Sequence, residues 1–122
     1  MTAWNDAGTP PTLTLTSSSP TVVVTVASRP GESYWASISW AKICAGSQIP
    51  FYWNLDTTGK LNSTQRKLVA IHEFGHIQGL AHVTRTCSQT PAVMVQGKNK
   101  WDCGWAGTAP WLDDRNGVHA EY

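Results

Sequence analysis

The chain has 122 residues, a formal net charge of +1 and only 14% charged residues. That length suits one small domain able to bury roughly two-thirds of its unfolded surface. There is no basic stripe for nucleic acid and no acidic tail, and no apolar run approaches the ~18 residues that a membrane span needs.

The amino end, Met1-Thr2-Ala3-Trp4, lacks a charged segment followed by an apolar core, so no signal peptide is expected. A mature secreted domain carrying an added Met1 would begin this way. Three cysteines allow at most one internal disulfide and leave one thiol.

Strand signals fill the first third. Thr12-Leu13-Thr14-Leu15-Thr16 alternates with period two and is broken by Ser17-Ser18-Ser19-Pro20. Val22-Val23-Val24-Thr25-Val26 is a continuous β-branched run, the pattern of a strand covered on both faces. After the Arg29-Pro30-Gly31 turn, Ala36, Ile38 and Trp40 alternate with Ser37, Ser39 and Ala41, which predicts a half-exposed edge strand over 35–41. Ile49 to Leu55 predicts a fourth strand, with Pro50 near its start, where a missing N–H is harmless.

Asp56-Thr57-Thr58-Gly59 turns the chain into a helix predicted from about Ser63 to Gly79. Asn62 is a good N-cap, with Gln65 three residues on in a capping-box arrangement. Leu68, Val69, Ala70, Ile71, Phe74 and Ile77 place apolar groups nearly all round, so this helix is expected to be buried. Burying two histidines and a glutamate on it is costly unless those groups have partners.

A metal is such a partner. Residues 72–82 read His-Glu-Phe-Gly-His-Ile-Gln-Gly-Leu-Ala-His, the pattern H-E-x-x-H-x-x-G-x-x-H. Positions i and i+4 share a helix face, so His72 and His76 can aim at one point. Catalytic zinc takes three protein ligands and leaves one position to water. Glu73 points about 100° round the helix, beside the metal-bound water rather than at the metal. Gly79 tolerates positive φ, which lets the helix stop and the chain swing back to bring His82 as third ligand.

This stretch resembles the zinc signature of the metzincin metalloproteases, and within them the chain most resembles the matrixins, the matrix metalloproteinases and their bacterial relatives. The resemblance runs from about Trp4-Asn5 to Asp113-Asp114-Arg115-Asn116-Gly117. It implies an α+β fold: a mixed, mostly parallel twisted sheet with an antiparallel edge strand, a buried active-site helix, and a small irregular lower part ending in a short helix. The chain then divides into an upper part, 1–79, and a lower part, 80–122, of one catalytic domain. The family places a first strand and a backing helix before the Trp-Asn stretch. Here three residues precede it, so the sheet is expected to be one strand short, with exposed apolar surface and hence low stability or self-association.

By the same resemblance Met94 would form the Met-turn beneath the ligands, against an ordinary core methionine as the alternative. Asp114 would hydrogen-bond the Met-turn backbone, and Asp113 would receive the amino terminus; otherwise both are exposed acids in the first turns of a helix starting at Thr108-Ala109-Pro110-Trp111. Trp101, Trp105 and Trp111 either line the substrate pocket or fill a core. A Cys87–Cys103 disulfide would tie the lower part around the Met-turn, or both remain buried thiols, and Cys44 stays unpaired. His119 reads as a surface residue.

The function implied is zinc-dependent hydrolysis of peptide bonds in an extended protein substrate laid along the 35–41 edge, with Glu73 as general base. The alternatives are an inactive or truncated zinc-binding domain and a plain structural zinc module. An extracellular location follows from the family. No loop shows a calcium-ligand spacing, so calcium has no support in the residues.

Overall fold

The computed structural model of the chain describes residues 1–10, 12–39, 48–97, 99–105 and 107–122. Along them run α1 (Thr2–Asp6), β1 (Val22–Ala27), β2 (Ala36–Ile38), β3 (Ile49–Asn54), α2 (Leu55–Thr58), α3 (Ser63–Ile77), α4 (Asn99–Asp102) and α5 (Leu112–Glu121). The fold is α+β, with a small mixed sheet ordered β1-β3-β2. β1 runs parallel to β3 from Val22↔Ile49 to Ala27↔Asn54, and β2 runs antiparallel to it from Ala36↔Trp53 to Ile38↔Phe51. Among the described residues β2 is therefore an edge strand, as its alternation predicts. Trp40 and Ala41 of the predicted strand, and Cys44, lie outside the described residues.

α3 begins where local chemistry says it should. The Asn62 side chain accepts from Gln65 N at 2.9 Å, and the Gln65 side chain returns the bond to Asn62 N at 3.0 Å. It ends at Ile77, two residues short of the predicted end, in a Schellman motif: Leu80 N reaches Gly75 O and Gly79 N reaches His76 O, both at 3.0 Å, with Gly79 at φ +94°. Phe51 of β3 meets Phe74 of α3 edge-on at 5.6 Å, which docks the helix on the sheet. The main core gathers Leu68 and Ile71 of α3 with Trp4, Leu80, Val93, Met94 and Val118.

Two strand expectations need correction. Thr12–Thr16 forms no strand, and Leu15 is 88% exposed. The cause is Asn5, whose side-chain amide donates to Leu13 O at 2.7 Å and accepts from Leu13 N at 2.9 Å, taking both groups a neighbouring strand would use. β1 is a strand but is not covered on both faces. Val24 lies in register beside the buried Phe51, yet it is 51% exposed, and Val26 is 57% exposed, because α3 packs against β2, reaches β3 through the Phe51–Phe74 contact, and leaves β1 open. Apolar exposure on this side of the sheet is thus present.

At the far end of β3 the fully buried Asn54 fastens a loop. Its amide nitrogen donates to the carbonyls of Arg29, Glu32 and Tyr34 at 3.3–3.4 Å, and its oxygen accepts from Arg29 N and Asp56 N. This clamp holds the segment leading into β2, and that segment rims the cleft described next.

Candidate metal centre

Three histidine rings converge. His72 Nε2 and His76 Nε2 each lie 3.1 Å from His82 Nε2. Tetrahedral zinc with bonds of ~2.0–2.1 Å holds its nitrogens about 3.3 Å apart, so this donor set fits one ion with little adjustment. His72 and His76 come from successive turns of α3, and the Schellman turn at Gly79 carries His82 back to face them. Among the described residues these three are the histidine, cysteine or acidic side chains grouped closely enough to hold a metal.

The opposite ring nitrogens are committed to the backbone. His72 Nδ1 bonds Val93 O at 2.8 Å and His76 Nδ1 bonds Leu80 O at 2.7 Å. A carbonyl only accepts, so each Nδ1 carries the proton and each Nε2 presents its lone pair to the shared point. The same turn that redirects the chain to His82 also supplies the Leu80 carbonyl that orients His76.

Met94 is buried, its sulfur against Gly75 of α3. Asp114 holds the turn that carries it: its carboxylate accepts from Val93 N at 2.9 Å, Met94 N at 3.3 Å and Trp111 N at 3.0 Å. Asp113 does not meet the amino terminus. It pairs with Arg85 at 2.8 Å, because α5 starts beside the 85–90 loop. Cys87 and Cys103 form a disulfide across that lower region.

A cleft of about 380 Å³ opens over the histidines, lined by Ser33 to Ile38, Val69, Gln96, Gly97 and Lys100, with Glu73 in its wall. Of the aromatic candidates, Trp101, Trp105 and Trp111 do not line it. Trp105 packs with Ala92 and Val95, with Trp111 against them, as a second small core. Trp35 lines the cleft instead, with the Trp101 ring tilted against it at 4.7 Å. His119 is exposed.

One residue here carries no signal in the sequence. Lys100 of α4 is 2% exposed, its Nζ 3.2 Å from Val93 O and 3.3 Å from His72 Nδ1. A single lysine has no spacing to recognise it by, and only the doubling-back of the chain after Met94 places it beside the histidines.

Burial sets the protonation states. It pushes His72 down to about 2, with the Lys100 charge adding to the effect, and it lowers His76 and His82 as well. All three are therefore neutral imidazoles near pH 7, the form that binds a metal. Burial raises Glu73 to about 7 against the pull of the Lys100 ammonium, so it can both take and release a proton near neutrality. Lys100 itself is lowered to about 8 by burial, opposed by Glu73 and Asp114. Asp114 is raised by burial despite its three backbone donors.

Among the described residues no helix is long and apolar enough to cross a membrane. Comparison with protein families, curated proteins and solved structures yields no match, so the metzincin resemblance rests on the residues quoted for it.

Proposed function

We propose that this chain is a secreted zinc metalloendopeptidase of matrixin-like type that cleaves extended protein substrates. The observation that carries the reading is the meeting of three Nε2 lone pairs, that of His82 lying 3.1 Å from each of the other two, in the wall of an open cleft shared with the buried acid–base group Glu73. A structural zinc module would close its fourth position with protein and would have no use for such a carboxylate. The Cys87–Cys103 disulfide suits an oxidising compartment, which supports the extracellular assignment.

In this reading His72, His76 and His82 hold the zinc, which when bound supplies charge to polarise a scissile carbonyl and acidify water. Glu73 accepts the proton of the attacking water and returns it to the leaving amine, a transfer suited to a group titrating near 7. β2, an edge strand on the cleft rim, offers its free backbone groups to an extended substrate. Asn54 keeps that rim in place through the loop it clamps.

Zinc-loaded wild type and Glu73→Gln are compared on an unfolded protein substrate. Both are expected to retain one zinc, with cleavage by the variant reduced by about 10²–10⁴-fold. Equal rates would remove Glu73 from the chemistry. Zinc binding without cleavage by wild type would favour the inactive zinc-binding domain.

A further inference from the structure

Lys100 is a buried cation with too few partners. An ammonium has three N–H donors to place and a full charge to neutralise. Val93 O takes one donor at 3.2 Å. His72 Nδ1 lies within 3.3 Å, but its own proton is committed to the same Val93 carbonyl, so it cannot also accept from the lysine. Glu73 and Asp114 attract Lys100 electrostatically, yet among the described residues neither forms an ion pair with it; the ion pair found there is Arg85–Asp113. Two donors are left over, and the charge has no carboxylate in direct contact.

The position of this unmet charge is informative. Lys100 lines the same cleft as Glu73 and the histidines. An unpaired ammonium in such a wall is costly in the free protein and favourable once an anion enters, and a carboxylate supplies two oxygens for its remaining donors.

We propose that Lys100 forms a subsite for a substrate carboxylate, adjacent to the bond to be cleaved. This rests on the peptidase reading for its meaning, though not for its test. The carboxylate is either an acidic side chain or the free carboxyl end of a short peptide, and the two sources are separable.

The test measures binding rather than turnover, using zinc-loaded Glu73→Gln as the background and the fluorescence of Trp35 and Trp101 as the signal. Matched peptides carry Glu or Gln at one position, and a neutral peptide carries a free or an amidated carboxyl end. The Glu peptide, or the free-ended peptide, is expected to bind on the order of tenfold more tightly than its neutral match. Adding Lys100→Met should bring that ratio close to one, whereas Lys100→Arg should keep most of it. No preference in the Lys100-containing background overturns the proposal, and so does a preference that survives Lys100→Met. Circular dichroism and zinc content confirm that each variant is folded and loaded, and if Lys100→Met fails either check, Lys100→Gln takes its place. Because catalysis is absent from every arm, a chain that never cleaves peptide can still show the preference.

Discussion

Gln78 is fully buried, and neither the nitrogen nor the oxygen of its amide has a hydrogen-bond partner among the described residues. A buried polar group without a partner forfeits its hydration, at about 1–3 kcal/mol. Leucine has similar bulk and no such debt. Gln78→Leu is therefore expected to raise the free energy of unfolding by about 1–3 kcal/mol while leaving zinc binding intact, as measured by urea denaturation and metal content. A drop in stability would mean that the amide is satisfied by something that the packing does not reveal. At this scale the sequence is legible where spacing encodes chemistry, as at His72, His76 and His82. It is not legible at Lys100 or Asn54, whose roles arise from neighbours such as His72 and Arg29 that lie 20 or more positions away in the chain. The tryptophans show the same limit: an indole suits a cleft wall and a core equally well, and only tertiary packing assigns Trp35 to the one and Trp105 to the other.

Among the elements, α3 is the most predictable, because its start is written in a reciprocal Asn62–Gln65 cap and its end in Gly79. Within it, Gly75 sits at an interior position where glycine costs about 1 kcal/mol relative to alanine. Packing accounts for its presence. A Cβ at Gly75 would run into the Met94 sulfur and come within 3.2 Å of the Trp4 ring, both in the buried core. Overpacking of that kind costs about 1–3 kcal/mol and outweighs the gain in helix propensity. Gly75→Ala is expected to lower the melting temperature, whereas a rise would show that the Met94 turn does not bear on the helix. The strands were harder to read. Period-two alternation at 12–16 is genuine in the sequence but is overridden by the Asn5 clamp on Leu13. The apolar run of β1 marks a strand correctly, yet says nothing of whether a helix will cover it.

For the molecule as a whole, the histidine cluster, with His72 and His76 buried and His82 exposed, makes stability depend on pH. Each has a folded pKa below the usual 6.5, so the folded state binds fewer protons than the unfolded state and is weakened as pH falls below 6.5. Glu73 works in the opposite sense: its folded pKa of about 7 exceeds its ordinary 4.5, so it adds stability as pH falls through that interval. Asp114, also raised, acts in the same sense as Glu73, so three histidines are set against two carboxyls. The metal-free chain is expected to lose stability on acidification from pH 6.5 to 4.5, with each proton taken up contributing at most about 1.4 kcal/mol per pH unit. Glu73→Gln should lose it more steeply, since its compensating proton uptake is gone. Thermal melts in a chelating buffer across this range check both slopes, and parallel curves for the two proteins would contradict the assignment of Glu73 as a buried, proton-binding group.

All of this depends on the coordination itself, and X-ray absorption at the zinc edge of the zinc-loaded chain measures it most directly. The account predicts three imidazole nitrogens and one light, solvent-derived oxygen at ~2.0–2.1 Å, with no sulfur in the shell. A fourth protein ligand, a thiolate in the shell, or fewer than three imidazoles would contradict it.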